Sequence, residues 1–167
     1  SEQGSFERLV LIREFRSHSD AGERPPLSLE QLLGRWEGTA STISADWPEP
    51  VISRGSTTIR RAEAGRVEIG TEYEAFRSQQ SGSVDDRCLQ LGAEDPARMI
   101  LLPDGASSTV PLQVSHRKPF SVEAGWLVTP TQRQRLIRRY SERGEWISSS
   151  HLIESRLTQP GEARSKG

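Results

Sequence analysis

Residues 119–157 constrain this chain more than any other stretch, because they hold three extended segments joined by short turns. The first runs Pro-Phe-Ser-Val-Glu-Ala-Gly-Trp-Leu-Val-Thr over 119–129 and turns at Pro130-Thr131. The second, Gln-Arg-Gln-Arg-Leu-Ile-Arg-Arg-Tyr over 132–140, turns at Glu142-Arg143-Gly144 and leads into the third, 145–157. Extended segments separated by tight turns specify an antiparallel meander. Phe120, Val122, Ala124, Trp126 and Val128 occupy one period-two phase, and Ser121 and Glu123 occupy the other. That phase predicts that the apolar five face the core.

The rest of the chain continues the pattern. Residues 34–44 place Trp36, Gly38, Ala40 and Thr42 on one side of a strand and Arg35, Glu37, Thr39 and Ser41 on the other, with Trp36 pointing inward. Residues 51–61 read as a strand, and 66–76 alternate Val67, Ile69, Thr71, Tyr73 and Ala75 against Glu68, Gly70, Glu72 and Glu74. Residues 77–86 are polar and read as a loop. Short strands follow at 88–91 and 98–102, and another at 108–115 carries Pro111, which marks an edge or a bulge. Ser28 before Leu29, Leu32 and Leu33 predicts one or two turns of helix plugging one end. The reading is all-β: an antiparallel up-and-down barrel of roughly eight to ten strands with a short N-terminal helix.

The organisation expected from the sequence is four parts. Residues 1–16, with a strand at 8–16, are read as the tail of a preceding domain or as a plain N-terminal strand of this one. Residues 17–27 are a linker, 28–157 the barrel, and 158–167 a flexible tail. The chain of 167 residues is long enough for one domain, and its 33% apolar content fits a barrel with a modest interior.

Composition and spacing exclude more functions than they indicate. A net charge of −1 argues against a nucleic-acid partner. No apolar run is long enough for a membrane helix. A single Cys88 makes neither an internal disulfide nor a thiolate metal cluster. His18, His116 and His151 lack metal-ligand spacing, so no metal is expected. No nucleophile elbow or phosphate loop is present, so no catalytic residues, cofactor or enzymatic activity are expected. The one cluster with a functional reading is Arg133, Arg135, Arg138 and Arg139. Arg133, Arg135 and Arg139 share a face with Ile137, and Arg138 lies opposite beside Leu136 and Tyr140. Two readings stand side by side: a binding surface for a protein partner or an anion, or a solvated sheet face balanced by Glu68, Glu72 and Glu74.

Two resemblances sharpen this picture. A short helical turn followed by Gly34-Arg35-Trp36 resembles the calycin or lipocalin signature, which implies that Trp36 closes the barrel floor and that Arg156 stacks on it. Val10-Leu-Ile-Arg-Glu14, Leu32-Leu-Gly-Arg-Trp-Glu-Gly38, Leu102-Pro-Asp-Gly-Ala106, residues 120–128, Arg133-Gln-Arg-Leu-Ile-Arg138, Tyr140, Gly144-Glu-Trp146 and Ser148 resemble the second barrel of a calycin-like family of cyanobacteria and plastids. That family includes the plant biogenesis factor of the chloroplast ATP synthase. The resemblance implies a non-enzymatic assembly factor in the chloroplast stroma or cyanobacterial cytoplasm, with the ATP synthase β and γ subunits as partners. Other calycins of these organisms carry bilins, which keeps open a carrier of a small hydrophobic ligand such as a bilin or lipid. In that case Ala40 and Trp126 would line the pocket.

Overall fold

Ten antiparallel strands close into a barrel in the order in which the chain lays them down. The computed structural model describes residues 3–4, 8, 10–12, 14, 22–93, 95–115 and 117–158. A two-residue strand β1 (Gln3–Gly4) pairs with β9 (Val114–Ser115) outside the barrel. Helix α1 (Leu29–Leu32) leads into β2 (Gly34–Ser44), followed by β3 (Val51–Arg61), β4 (Arg66–Tyr73), β5 (Phe76–Asp85), β6 (Cys88–Leu91), β7 (Ala97–Leu101) and β8 (Ala106–Pro111). The meander β10 (Phe120–Thr129), β11 (Gln132–Tyr140) and β12 (Trp146–Arg156) completes the wall. β12 pairs with β2 and β8 with β10, so the barrel has no open edge.

Helix α1 seals one end. The Ser28 amide donates to Gln31 Oε1 at 2.9 Å, which caps the helix start. At the other terminus the Trp36 indole Nε1 donates to Leu32 O at 2.9 Å, and the Arg156 guanidinium donates to Gln31 O. Two carbonyls at the end of a four-residue helix thereby find partners from the barrel floor. Leu29 and Leu32 turn inward onto Trp36, Ile59, Val67, Leu89 and Leu127 to form the main apolar core. Above Trp36, Gly38 sits opposite Gly55. A Cβ on Gly38 would lie 2.0 Å from the Ile153 carbonyl oxygen, so β2 and β12 approach there as only glycine permits.

The alternation expected in β2 and β4 matches the inward and outward sides observed, except that β4 ends at Tyr73 and Ala75 lies in the turn to β5. Three expectations change. Residues 77–86 are not a loop: 76–85 form β5, paired with β4 over 76–83 and with β6 over 82–85. Ser78 and Gln80 of its inward phase line the polar end of the interior cavity, and Val84 of that phase alone packs on the floor core, so the strand shows no sustained apolar alternation. The phase of β10 is reversed. Phe120, Val122, Ala124 and Trp126 lie on the outer side, where Val122 is nonetheless buried at 8% exposure, with Val128 at the bulge that ends the strand, while Glu123 and Leu127 point inward. Phase is all-or-none along a strand. Turning Trp126 inward would expel Leu127 from the core and tear Glu123 from Arg135. Lastly, β8 ends at Pro111, and 114–115 leave the barrel to pair with Gln3–Gly4.

Of the strand expected over 8–16, Arg8, Val10, Leu11, Ile12 and Glu14 are described and belong to no strand; the others lie outside the described residues. Within the linker, Arg24 is fastened to the 103–105 turn. Its guanidinium Nη2 donates to Asp104 O and to Leu127 O, each at 2.7 Å. In the expected tail, residues 159–167 lie outside the described residues.

Candidate functional site

Three of the four arginines of β11 point into the barrel rather than out to a partner. Arg133 and Arg135 are 5% and 7% exposed, and Arg139 lines the same interior cavity. Their phase is inward because Ile137 shares it and packs against Leu152 and Tyr73. The expected surface patch is therefore corrected: Arg133, Arg135 and Arg139 are interior, and only Arg138 lies on the outer face, 5.6 Å from the Tyr140 ring. They do not pair with the acidic side of β4 either. Glu68 and Glu72 form outer ion pairs with Arg60 and Arg77.

What balances the interior charge is Glu154, a fully buried carboxylate on β12. Its Oε1 accepts from Arg133 Nε and Nη2 at 3.2 and 2.9 Å and from Arg135 Nη1 at 3.3 Å. Its Oε2 accepts from Thr57 Oγ1 at 2.7 Å and from the Tyr73 hydroxyl at 3.0 Å. Arg135 extends the chain through Nε and Nη2 to the two oxygens of Glu123, at 2.7 and 3.2 Å. This two-pronged guanidinium–carboxylate contact is a strong and orienting one. Burial alone would raise the Glu154 carboxyl, but the Arg135 and Arg133 charges and the Thr57 hydrogen bond outweigh it, holding Glu154 below the ordinary carboxylate value. Burial and then the Glu154 charge push the Tyr73 hydroxyl up, so it stays a donor.

At the floor, Trp36 is fully buried, with the Arg156 guanidinium carbon 4.9 Å and that of Arg133 5.0 Å from its ring. Both positive groups thus lie within cation–π range of one indole. Toward the unplugged end, the interior opens into a cavity of about 260 Å³. Its deep wall holds Ile59, Ile69, Leu91 and Met99, and its upper wall holds Ser78, Gln80, Thr109, Ser121 and Arg139. Ala40 does not line it: this residue is fully buried against Tyr73, Ile137 and Leu152. Trp126 is outside altogether, 46% exposed, with its indole donating to Asp104 O at 3.1 Å. The expectation that both line the barrel interior is corrected: Ala40 lines no part of the cavity, and Trp126 lines instead an outer pocket of about 520 Å³ with Leu11, Ile12, Leu102 and Pro103. Ala40 is small enough to let neighbours fill its space, and Trp126 belongs to the outward phase of β10.

The outer wall formed by β10, β11, β12, β2 and β3 carries exposed Trp126, Leu136, Ile153, Ile43 and Ile52. Leu136, His151, Ser41 and Ile52 are cross-strand neighbours in one row, and Trp126, Gln134 and Ile153 in the next. Arg138 and Arg54 are exposed on the same wall. His151 bonds Gln134 Oε1 at 2.9 Å. Among the described residues, no group of three His, Cys, Asp or Glu could hold a metal ion, and no helix is long and apolar enough to cross a membrane. His18 and His116 lie outside the described residues.

Glu154, Glu123, Thr57 and Tyr73 were not singled out from the sequence. One signal could have found Glu154: it shares the period-two phase of Arg156, so placing Arg156 at the floor places Glu154 inside. The pairing Arg133↔Glu154 across β11 and β12, which makes them partners, depends on register.

A closed antiparallel barrel, a helical plug and a floor tryptophan under an arginine define a calycin-like protein. Residues 23–157 match the family described as Biogenesis factor required for ATP synthase 1, C-terminal domain, and the chain belongs to that family. Among solved structures it is similar to a protein of unknown function of the DUF3598 family from Nostoc punctiforme. That similarity has 36% identity and a TM-score of 0.78, and covers 84% of this chain and 53% of that one. The chain thus spans about half the length of that protein. An S-type phycobiliprotein lyase from Guillardia theta shares the fold at 13% identity and TM-score 0.59, covering 78% of this chain and 91% of that one. No curated protein sequence matches the chain.

Proposed function

We propose that this chain is a non-enzymatic assembly factor that binds a folded protein during biogenesis of the ATP synthase catalytic head. It would use the outer face of β10, β11, β12, β2 and β3 for that contact. The family's description supports the process, and one observation supports the surface. Leu136 and Ile153 are 46% and 52% exposed as diagonal neighbours on the adjacent strands β11 and β12, and Ile52, 62% exposed, stands on the same wall two strands beyond β12. Contiguous exposed apolar side chains on a sheet mark an interaction surface more often than solvent contact. Arg138 and Arg54 on that wall have no carboxylate within ion-pair distance among the described residues. The partner surface they fit has an apolar centre with carboxylates beside it. The β and γ subunits are the first candidates, in the chloroplast stroma or the cyanobacterial cytoplasm. A carrier of a bilin or lipid has less support. The cavity of about 260 Å³ falls below the roughly 300–1,000 Å³ of ligand pockets, and polar side chains crowd its upper wall.

The test is affinity capture on isolated ATP synthase β and γ subunits. The wild-type chain is compared with a Leu136→Asp/Ile153→Asp double variant and with Arg138→Gln. Capture by the wild type, lost in the double variant at an unchanged melting temperature, supports this surface. Equal capture by all three removes it, and no capture by the wild type removes these partners.

A further inference from the structure

At the upper, cavity end of the barrel one positive charge, that of Arg139, is not balanced by the interior carboxylates. Arg133, Arg135 and Arg139 project inward, against Glu154 and Glu123. Glu154 and Glu123 are both committed to Arg133 and Arg135. Arg139 is left with an aromatic contact: its guanidinium carbon lies 4.2 Å from the Phe76 ring centre, and Phe76 stacks on Tyr73 at 5.3 Å. Among the described residues no carboxylate lies within ion-pair distance of Arg139. Burial, with no negative group to offset it, lowers Arg139 from the ordinary guanidinium value. A half-buried arginine in that position gains from any anion that reaches it.

The cavity offers room and complementary walls. Ser78, Gln80 and Ser121 stand around the Arg139 end and supply neutral donors. Ile69, Leu91 and Met99 form the deeper wall. A volume of about 260 Å³ equals that of roughly eight or nine waters at about 30 Å³ each. We propose that this cavity binds a small organic monoanion, a carboxylate of about nine non-hydrogen atoms, with its charged end on Arg139 and its apolar body against Ile69, Leu91 and Met99. One negative charge matches Arg139, the guanidinium at the cavity end; Arg156, at the floor, is covered by the Trp36 ring. The planar fork of arginine suits a carboxylate held by two parallel hydrogen bonds. The site lies inside the barrel and the protein-binding face outside, so each is tested by its own variants and either can fail alone.

The experiment uses the full chain and two probes of equal size, benzoate and its neutral counterpart benzamide. Binding is followed by calorimetry and by amide chemical shifts of β5 and β11. Saturable benzoate binding in the millimolar range is expected, with benzamide weaker by about tenfold or more, the scale of a hydrogen bond to a charged group. Arg139→Gln is expected to lose benzoate binding by the same factor while keeping the wild-type melting temperature, and Arg139→Lys to keep part of it. Equal binding of the two probes, benzoate binding unchanged in Arg139→Gln, or no saturable benzoate binding at tens of millimolar would each overturn the proposal. Should Arg139→Gln melt early, Gln80→Leu provides the second variant; unaltered benzoate affinity there, with shifts confined to the outer wall, overturns it as well.

Discussion

Glu154 is the residue on which the barrel's interior charge depends. It accepts hydrogen bonds from Arg133, Arg135, Thr57 and Tyr73 while fully buried. A buried ion pair is weak support for stability as a whole, because desolvation offsets attraction; removing one partner alone is costly. Glu154→Gln is therefore expected to destabilise the chain by about 3–5 kcal/mol, read from urea unfolding, since it leaves two guanidiniums buried beside a neutral amide. The same residue sets an acid limb. Its carboxyl is held below the unfolded value of 4.5. Its contribution is thus fully present above that pH and is lost as pH falls through the lower folded value, where the unfolded chain has taken up the proton first. Melting temperature measured downward from neutral pH should fall in that acid range for the wild type, and the fall should be shallower in Glu154→Gln. An equally steep limb in the variant would assign the acid sensitivity to other carboxylates.

At the scale of a strand, β10 separates apolar character from burial. Its apolar phase lies on the outer side, with Val122 covered there and Trp126 exposed, and its inner phase carries Glu123 and Leu127. Two neighbouring substitutions read this directly. Leu127→Ala empties part of the floor core and is expected to cost about 2–5 kcal/mol. Trp126→Ala removes a larger side chain from an exposed position and is expected to cost about 1 kcal/mol, the middle of the range for ordinary substitutions. Denaturant midpoints of the two variants decide it; a Trp126→Ala cost as large as that of Leu127→Ala would place the tryptophan inside after all. In β5, likewise, polar residues make a strand because Ser78 and Gln80 face the polar end of the cavity on one side and their neighbours face water on the other, which leaves little alternation to detect. Strands β2 and β4 were legible because their inner phases carry Trp36, Val67, Ile69 and Tyr73 against an apolar floor.

For the whole molecule, closure is the decisive feature. The barrel shuts through β12 on β2 and β8 on β10, and β12 also brings Glu154 and Arg156 to the interior. A chain ending before Trp146 would leave β11 and β2 with unpaired edges and an unbalanced Arg133 and Arg135. Such a chain is expected to show no cooperative thermal transition by circular dichroism; a sharp transition near that of the full chain would mean that nine strands suffice.

The sequence by itself determined the class of fold: an antiparallel barrel with a capped helical turn, Trp36 facing inward and a closing meander. It could do so because turn residues, helix caps and period-two patterns act over a few neighbouring positions. The family was legible for the same reason, in motifs that are local strings. The role of the arginine strand was decided only by tertiary structure. Whether Arg133, Arg135 and Arg139 face water or the interior depends on which side of β11 is enclosed. That follows from the pairing of β11 with both β10 and β12, which sets Arg135 beside Glu123 and Arg133 beside Glu154. Alternation defines two faces of a strand, and only closure of the wall decides which of them is inside.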